Sequence, residues 1–371
     1  MKQYLKRKPS PPPATPKKAP YPAPSTKSPS LTGLANLGNT CFLNAVIQVL
    51  AQTSELHQVI EPIPLITNPR IANVNHLLTY ECKELLKMMN GDNSAVAPNR
   101  FFQVVQLVSK VKGYSEFSDF AQNDVSEFLV FLFDCIHIAL AKPAQVRING
   151  KIQNNVDEIA SQCYESVRDT YAKGYSQIYS KFYGMSFSEI LSKEDPSIVL
   201  SRKFEHYFIL DLPMPPPEMK SPTLYDCLDQ FVSPELLQGD NAWYNEKTKS
   251  KQAVSKKTSF WNFPEVLIIN LKRYKDTVRK DQRLVECPVT TDLCLSKYSM
   301  SYNSSNYRYK LYAVCNHSGG SIMGGHYTAC VRPAKYPEQW FQCNDKMVTP
   351  IRVHQVVTNQ TSCLFYRRCL S

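Results

Sequence analysis

The sequence predicts an α+β protein in which the helices come first and the strands follow. Three observations carry that expectation. Up to about residue 175, apolar residues recur at three- and four-residue spacing, the period of a helix. From about residue 180 the period changes to short β-branched and aromatic runs set between turn residues. With 371 residues, 43 % of them hydrophobic, the chain is long enough for a large core, or for two parts around one cleft.

Residues 1–30 read as a disordered tail. Pro9-Ser10-Pro11-Pro12-Pro13-Ala14-Thr15-Pro16-Lys17-Lys18-Ala19-Pro20 cannot bury enough apolar area to offset the cost of ordering. Ser10, Thr15 and Ser28 each precede a proline and are candidate phosphorylation sites. Lys6-Arg7-Lys8 and Lys17-Lys18 are either a nuclear address or a solubilising charge. The formal net charge is +11, yet the tail holds seven Lys or Arg and no Asp or Glu, so residues 31–371 carry only +4 (11 − 7). That small excess, with no recognition module in view, argues against a nucleic-acid partner.

The elements follow in order. Asn39-Thr40 precedes the apolar run 42–50 and predicts a helix start capped by one of the two. Helical stripes cover 75–90 and 98–109. The strongest helix is 122–140, where Val125, Phe128, Leu129, Leu132, Phe133 and Ile136 form one face. Strands are expected at 204–212, 266–274, 309–315, 326–331 and 364–368. Val266-Leu267-Ile268-Ile269-Asn270-Leu271 is apolar enough to be central, with 284–288 pairing beside it. A helical part over about 31–175 and a β-rich part over about 176–371 leave a cleft between them.

Twelve cysteines bring no CxxC pair, and the chain opens Met-Lys-Gln-Tyr-Leu-Lys-Arg-Lys-Pro-Ser without a hydrophobic leader. Buried thiols in a reducing compartment, cytoplasmic or nuclear, are the expectation. No apolar run reaches membrane-spanning length.

Two distant segments carry chemistry. The first is Leu34-Ala35-Asn36-Leu37-Gly38-Asn39-Thr40-Cys41-Phe42-Leu43-Asn44, which sets Cys41 at the mouth of a helix, where a thiolate is favoured. The second is Gly324-Gly325-His326-Tyr327-Thr328, followed by Trp340-Phe341-Gln342-Cys343-Asn344-Asp345. His326 has the pKa range for proton exchange with a thiol, and an amide (Asn344) or a carboxylate (Asp345) can orient it. Gly324 and Gly325 leave no side chain on the approach, so an extended peptide can lie close to the backbone. His317 is the rival imidazole. As bare residues, Cys41 can be a structural thiol and His326 a surface histidine on a glycine loop.

These segments resemble the Cys box and His box of the ubiquitin-specific protease family, the papain-like deubiquitinases. The resemblance runs from about Leu31 to about Arg368. It implies a papain-like fold shaped as a hand, with a helical thumb and a β-rich palm and fingers around one cleft. It also implies a cysteine hydrolase that cuts the isopeptide or peptide bond after the C-terminal glycine of ubiquitin. Cys41 is then the nucleophile, His326 the general base and acid, and Asn344 its orienter, with Asp345 as the alternative. Asn36 donates its amide to the oxyanion. Gln122-Asn123-Asp124-Val125-Ser126-Glu127-Phe128-Leu129 is similar to the family's Gln-Gln-Asp box, which walls the path of the substrate's tail. Gln122 and Asp124 are implied substrate contacts, with Gly324, Gly325 and Tyr327 at the rim. As a bare motif the same run is a helix start capped by Asp124.

The sequence departs from the family at one place. Many members hold zinc on two CxxC pairs in the fingers, and the corresponding runs, 191–195 and 242–246, contain no cysteine. No metal and no cofactor are expected. Ubiquitin and ubiquitinated proteins are the implied partners. The competing readings are a non-catalytic ubiquitin-binding scaffold, an isopeptidase for another ubiquitin-like modifier, and a general papain-like peptidase with an open groove.

Overall fold

The computed structural model describes residues 31–66, 73–91, 93–274, 279–321 and 324–369. The tail lies outside the described residues. The N-terminal half is helical: α1 (Cys41–Leu50), α2 (Ser54–Ile60), α3 (Val74–Met89), α4 (Asn99–Lys112), α5 (Val125–Leu140), α6 (Asn155–Lys173) and α7 (Gln177–Phe182), with the short parallel pair β1 (Gly33–Leu34) and β2 (Ala95–Val96) among them. All ten residues of α1 are buried, eight of them apolar or Cys and two of them, Asn44 and Gln48, polar. α5 begins at Val125 rather than at Gln122 because Asp124 caps it. Its Oδ1 accepts from the Ser126 N–H at 2.7 Å and the Glu127 N–H at 3.4 Å. Phe128 of α5 meets Phe42 of α1 edge-on at 5.4 Å, locking the two helices. Burial of each such ring contributes about 1.5–3 kcal/mol.

The C-terminal half is mostly strand: β3 (Gly184–Ser192), β4 (Val199–Tyr207), β5 (Ile209–Pro213), β6 (Glu235–Leu237), β7 (Trp243–Asn245), β8 (Ser250–Gln252), β9 (Val254–Asn262), β10 (Val266–Lys272), β11 (Leu293–Cys294), β12 (Arg308–Ser321), β13 (Gly324–Val331), β14 (Trp340–Asn344), β15 (Met347–Ile351) and β16 (Thr361–Arg368), with one α-helix among the described residues, α8 (Leu224–Val232). The main sheet runs β15-β14-β13-β12-β16-β10-β5, with β11 added to β12. Its only parallel pair among the described strands is β10 with β5. A second sheet runs β4-β3-β9-β6, and β7 pairs with β8 in a hairpin of its own. The chain is therefore α+β, as its two periods indicate.

The main sheet is buried on both faces, and its side chains alternate between two cores. Val266, Ile268, Ala313, Cys315, Ala329, Cys363 and Phe365 face the core made with α1 to α5. Leu267, Ile269, Leu271, Val314, Cys330, Leu364 and Tyr366 face the other, under α8.

Two strand expectations need correction. The run 204–212 is two strands in two sheets. β4 ends at Tyr207 and β5 starts at Ile209, with the buried Phe208 as the corner. Apolar alternation continues through the corner, so the sequence hides it. The run 284–288 does not pair with β10. Glu286 instead exchanges backbone hydrogen bonds with Pro222 and Leu224 at 2.8 Å, which buries Val285 beneath α8.

Candidate active site

Cys41 opens α1 and is only 4 % exposed. The turn before it is built by Asn36 and Thr40. Asn36 Oδ1 accepts from the N–H of Gly38 (2.9 Å) and of Thr40 (3.3 Å), and Thr40 Oγ1 accepts from the Leu37 N–H (2.9 Å). Gly38 and Asn39 take left-handed φ of 106° and 53°, which is why small and amide residues stand there. Thr40 occupies the cap position of α1 but makes no side-chain cap bond, being committed to Leu37. Burial pushes the Cys41 thiol above its ordinary pKa. The backbone N–H of Tyr327 opposes this, the charge of Asp345 adds to it, and the N–H groups of Phe42 and Cys41 again lower it.

The Tyr327 contact places the sulfur against β13, one residue from His326. His326 Nε2 lies 2.7 Å from Asn344 Oδ1. The amide oxygen only accepts, so Nε2 carries the proton and Nδ1 keeps its lone pair. Asn344 is the last residue of β14; Asp345 follows in a two-residue hairpin with a left-handed φ of 51°. That reversal sends the Asp345 carboxylate to the other side. Its Oδ2 accepts from Asn36 Nδ2 at 3.0 Å and its Oδ1 from Asn44 Nδ2 at 2.7 Å, while its backbone oxygen accepts from the Leu34 N–H at 2.9 Å. The hairpin presses so closely on β1 that a Cβ on Gly33 would stand 2.2 Å from the Lys346 carbonyl oxygen.

The other residues singled out from the sequence lie along the same seam. Gln122 spans it: its Oε1 accepts from the Gly325 N–H at 2.8 Å and its Nε2 donates to Asn39 Oδ1 at 3.5 Å. Asp124 Oδ2 accepts from the Tyr327 hydroxyl at 2.8 Å, so the helix cap also anchors β13. Tyr327 is buried, its ring 4.5 Å from that of His317. Gly324 leaves open space, the nearest group to an added Cβ being Gln122 Oε1 at 3.8 Å. Gly325 is glycine for a different reason from the one the sequence suggests: a Cβ there would meet His317 Nε2 at 2.3 Å. His317 itself is buried. Its Nδ1 is 2.9 Å from the Tyr274 hydroxyl, and burial with the neighbouring Lys280 ammonium lowers its pKa to about 4.

A cleft of about 610 Å³ opens beside the first turn of α5. Phe117, Val130 and Phe208 give it an apolar floor; Glu116, Glu127 and Asp211 give it negative charge against the single Lys272. Burial, Asp124 and Glu116 together raise the Glu127 pKa.

The family pattern described as Ubiquitin carboxyl-terminal hydrolase matches residues 32–366, a span that contains every residue of this seam. The chain belongs to the ubiquitin carboxyl-terminal hydrolase family. It is 31 % identical over 354 residues to Ubiquitin carboxyl-terminal hydrolase 2 of Homo sapiens, covering 92 % of this chain and 56 % of that protein. Against Ubiquitin carboxyl-terminal hydrolase 2 of Gallus gallus the identity is 31 % over 362 residues, with 94 % and 96 % covered. Ubiquitin carboxyl-terminal hydrolase 21 of Mus musculus is 29 % identical over 367 residues, with 91 % and 62 % covered. The chain spans about half the length of the human relative.

Within this family member, sequence reasoning missed Asn44. A signal for it exists. Asn44 and Gln48 are polar residues one turn apart in a helix whose other eight residues are apolar or Cys, and both are buried. Gln48 Nε2 donates to the Thr32 carbonyl at 2.9 Å and Asn44 to Asp345, so this stripe stitches the chain entering α1 to the β14–β15 hairpin. All twelve cysteines are free thiols, and no metal-holding group of His, Cys, Asp or Glu occurs among the described residues. The runs 191–195 and 242–246 end β3 and contain β7.

Proposed function

We propose that this chain is a cysteine-dependent deubiquitinase that hydrolyses the isopeptide or peptide bond after the C-terminal glycine of ubiquitin. One observation carries the reading: the imidazole of His326 is held at 2.7 Å by Asn344, and the next residue on the same strand, Tyr327, points its backbone N–H at a buried cysteine at a helix N-terminus. Cys41 gives its proton to His326 Nδ1 and attacks the glycine carbonyl. The developing oxyanion is received by the second hydrogen of Asn36 Nδ2, the first being engaged by Asp345, and by the N–H of Cys41. His326 then protonates the departing amine, and in the second half it activates the water that frees ubiquitin. Acyl transfer of this kind needs no cofactor.

The helices α1 to α5 act as the thumb, the main sheet as the palm, and β3, β4, β6 and β9 as fingers that grip the body of ubiquitin without zinc. The acidic cleft beside α5 suits an extended basic tail, and the space left open at Gly324, walled by Gln122, suits the tail's terminal glycines. Gln122, Asp124 and Tyr327 shape that seam through each other. The enzyme works in the cytoplasm or nucleus. The test is hydrolysis of ubiquitin-aminomethylcoumarin and of isopeptide-linked di-ubiquitin. The native chain is expected to cleave both, with Cys41→Ser and His326→Ala inactive yet folded and still binding ubiquitin. A folded native chain that binds ubiquitin but cleaves neither substrate is a scaffold. Cleavage of another ubiquitin-like modifier in preference moves the substrate, not the chemistry.

A further inference from the structure

The order of the main sheet gives the scissile bond a departing side. The acidic cleft beside α5 is bounded by Asp211 on β5 and by Asn270 and Lys272 on β10. His326 on β13 and Asn344 on β14 stand further along the same run, β5-β10-β16-β12-β13-β14-β15. A tail that crosses the sheet from the cleft to Cys41 leaves one rim beyond the bond, the β14–β15 hairpin. That step rests on the deubiquitinase reading, because only a peptide carbonyl at Cys41 divides the seam into an entering and a departing side.

The hairpin presents two side chains at that rim. Met347 is the register partner of Asn344. Partners across an antiparallel pair share a face, so Met347 projects on the side from which Asn344 holds the imidazole. It is 67 % exposed, so its adaptable thioether covers little of the protein's own surface. Lys346, in the turn, is exposed as well, and among the described residues it has no carboxylate within 4.0 Å. The backbone beneath them is held through Asp345, which accepts from the Leu34 N–H and from the amides of Asn36 and Asn44. Both side chains therefore start from a fixed turn, which lowers the cost of ordering them against a partner.

We propose that Lys346 and Met347 form the acceptor-side contact: they meet the protein that carries the modified lysine, and they favour one with acidic and apolar residues beside that lysine. The chemistry confines the acceptor to this rim. The amine that His326 protonates is the tip of a lysine, and the four-carbon stem behind it keeps the acceptor's backbone close to the imidazole. An unpaired ammonium at a rim attracts carboxylates and repels cations, through a field that salt screens. The exposed methionine gives the same acceptor an apolar contact. Both are specificity residues rather than catalytic ones.

The substrates for the test are ubiquitin-aminomethylcoumarin, which carries no acceptor protein, and ubiquitin joined by an isopeptide bond to the lysine of short peptides. The peptides place Asp and Leu, Ser and Gly, or Arg and Ser around that lysine, and kcat/KM is measured with the full chain. The native chain should cleave the acidic-apolar conjugate about fivefold better than the basic one at low salt, and the gap should narrow as salt is raised. Lys346→Glu should reverse that order, and Lys346→Arg should keep it. Met347→Asp should slow the acidic-apolar conjugate about tenfold, since it loses apolar contact and adds repulsion. All three variants should keep the native melting profile and hydrolyse ubiquitin-aminomethylcoumarin as the native chain does. Lys310→Glu should change nothing, because Lys310 is exposed on β12 roughly 26 Å along the strand from Ser318, the partner of His326. Equal rates on all the conjugates by a native chain that cleaves ubiquitin-aminomethylcoumarin overturn the acceptor contact and leave the hydrolase reading standing. An equal fall on every substrate in a folded Met347→Asp chain overturns it too, since a hairpin that only supports Asn344 behaves that way. A native chain that cleaves none of the substrates overturns the hydrolase reading and the acceptor contact with it.

Discussion

At the scale of single residues, Asn344 and Asp345 are neighbours with separate tasks. Asn344 faces the imidazole and Asp345 faces Asn36 and Asn44. Asn344→Ala should lower kcat/KM roughly 10²-fold, about 2.7 kcal/mol, because the ring loses the partner that fixes its tautomer. Asn36→Ala and Asp345→Ala act on one hydrogen bond, so the double variant should lose little more than the worse single one. Asn344→Ala combined with Asn36→Ala should be closer to additive. Full additivity of Asn36 and Asp345 in a kcat/KM cycle would separate them. The raised Cys41 pKa gives a further expectation. Its ordinary value is 9.0, and burial moves it upward, so the thiol form dominates at neutral pH. Alkylation of Cys41 by iodoacetamide should therefore accelerate steadily from pH 6 to pH 9. A flat profile over that range would indicate a thiolate already formed by His326. The sequence made Cys41, His326 and the Asn344–Asp345 choice legible because each sits in a dense local pattern. It put Asn344 first, with Asp345 as the alternative. A strand rule of opposite faces separates them, but what places Asp345 is the left-handed turn, and its partner Asn44 lies some three hundred residues away.

At the scale of elements, the ends of the helices hold the two halves together. Glu55 in α2 accepts from Arg367 Nε at 2.6 Å and Nη2 at 3.0 Å on β16. Burial alone would raise the Glu55 pKa, but the hydrogen bonds and charge of Arg367 outweigh it and leave the value below its ordinary 4.5. A lowered carboxylate stabilises the fold above its ordinary pKa and loses that contribution as pH falls through the folded value. Glu55→Gln should thus cost about 1.5–3 kcal/mol near pH 7, and the gap in melting temperature from the native chain should close below pH 4. A gap independent of pH would mean that shape rather than charge is lost. The legible elements are those with a wide or unbroken apolar pattern: α1, α5 and β10. α6 escaped explicit recognition because its buried stripe is only Ile159, Ala160 and Cys163 among charged residues. The hairpin β14–β15 escaped because its turn is Asp345-Lys346, without the Asn-Gly or Gly signal that marks a tight reversal.

At the scale of the molecule, one sheet carries both the site and its support. β13 and β14 supply His326 and Asn344 at one end, α1 crosses that face with Cys41 at its tip, and the opposite face is sealed by α8. The helices-then-strands order was visible in the change of period, whereas the division of strands into two sheets depends on long-range pairing that no local pattern encodes. The strands β3, β4, β6 and β9 contain no CxxC pair, so their stability should be indifferent to metal. Purified protein should hold no stoichiometric zinc, and a chelator should leave melting temperature and turnover unchanged. One tightly held zinc per chain on elemental analysis would contradict this. The most direct test of the assembled site uses ubiquitin bearing a thiol-reactive group in place of its C-terminal carboxylate. Peptide mapping of the native chain should find one adduct, on Cys41, with the other eleven thiols, eight of them buried, untouched. The adduct should vanish in Cys41→Ser and form far more slowly in His326→Ala. An adduct on another cysteine, or none on a folded chain that still binds ubiquitin, would contradict the assignment of this seam as the active site.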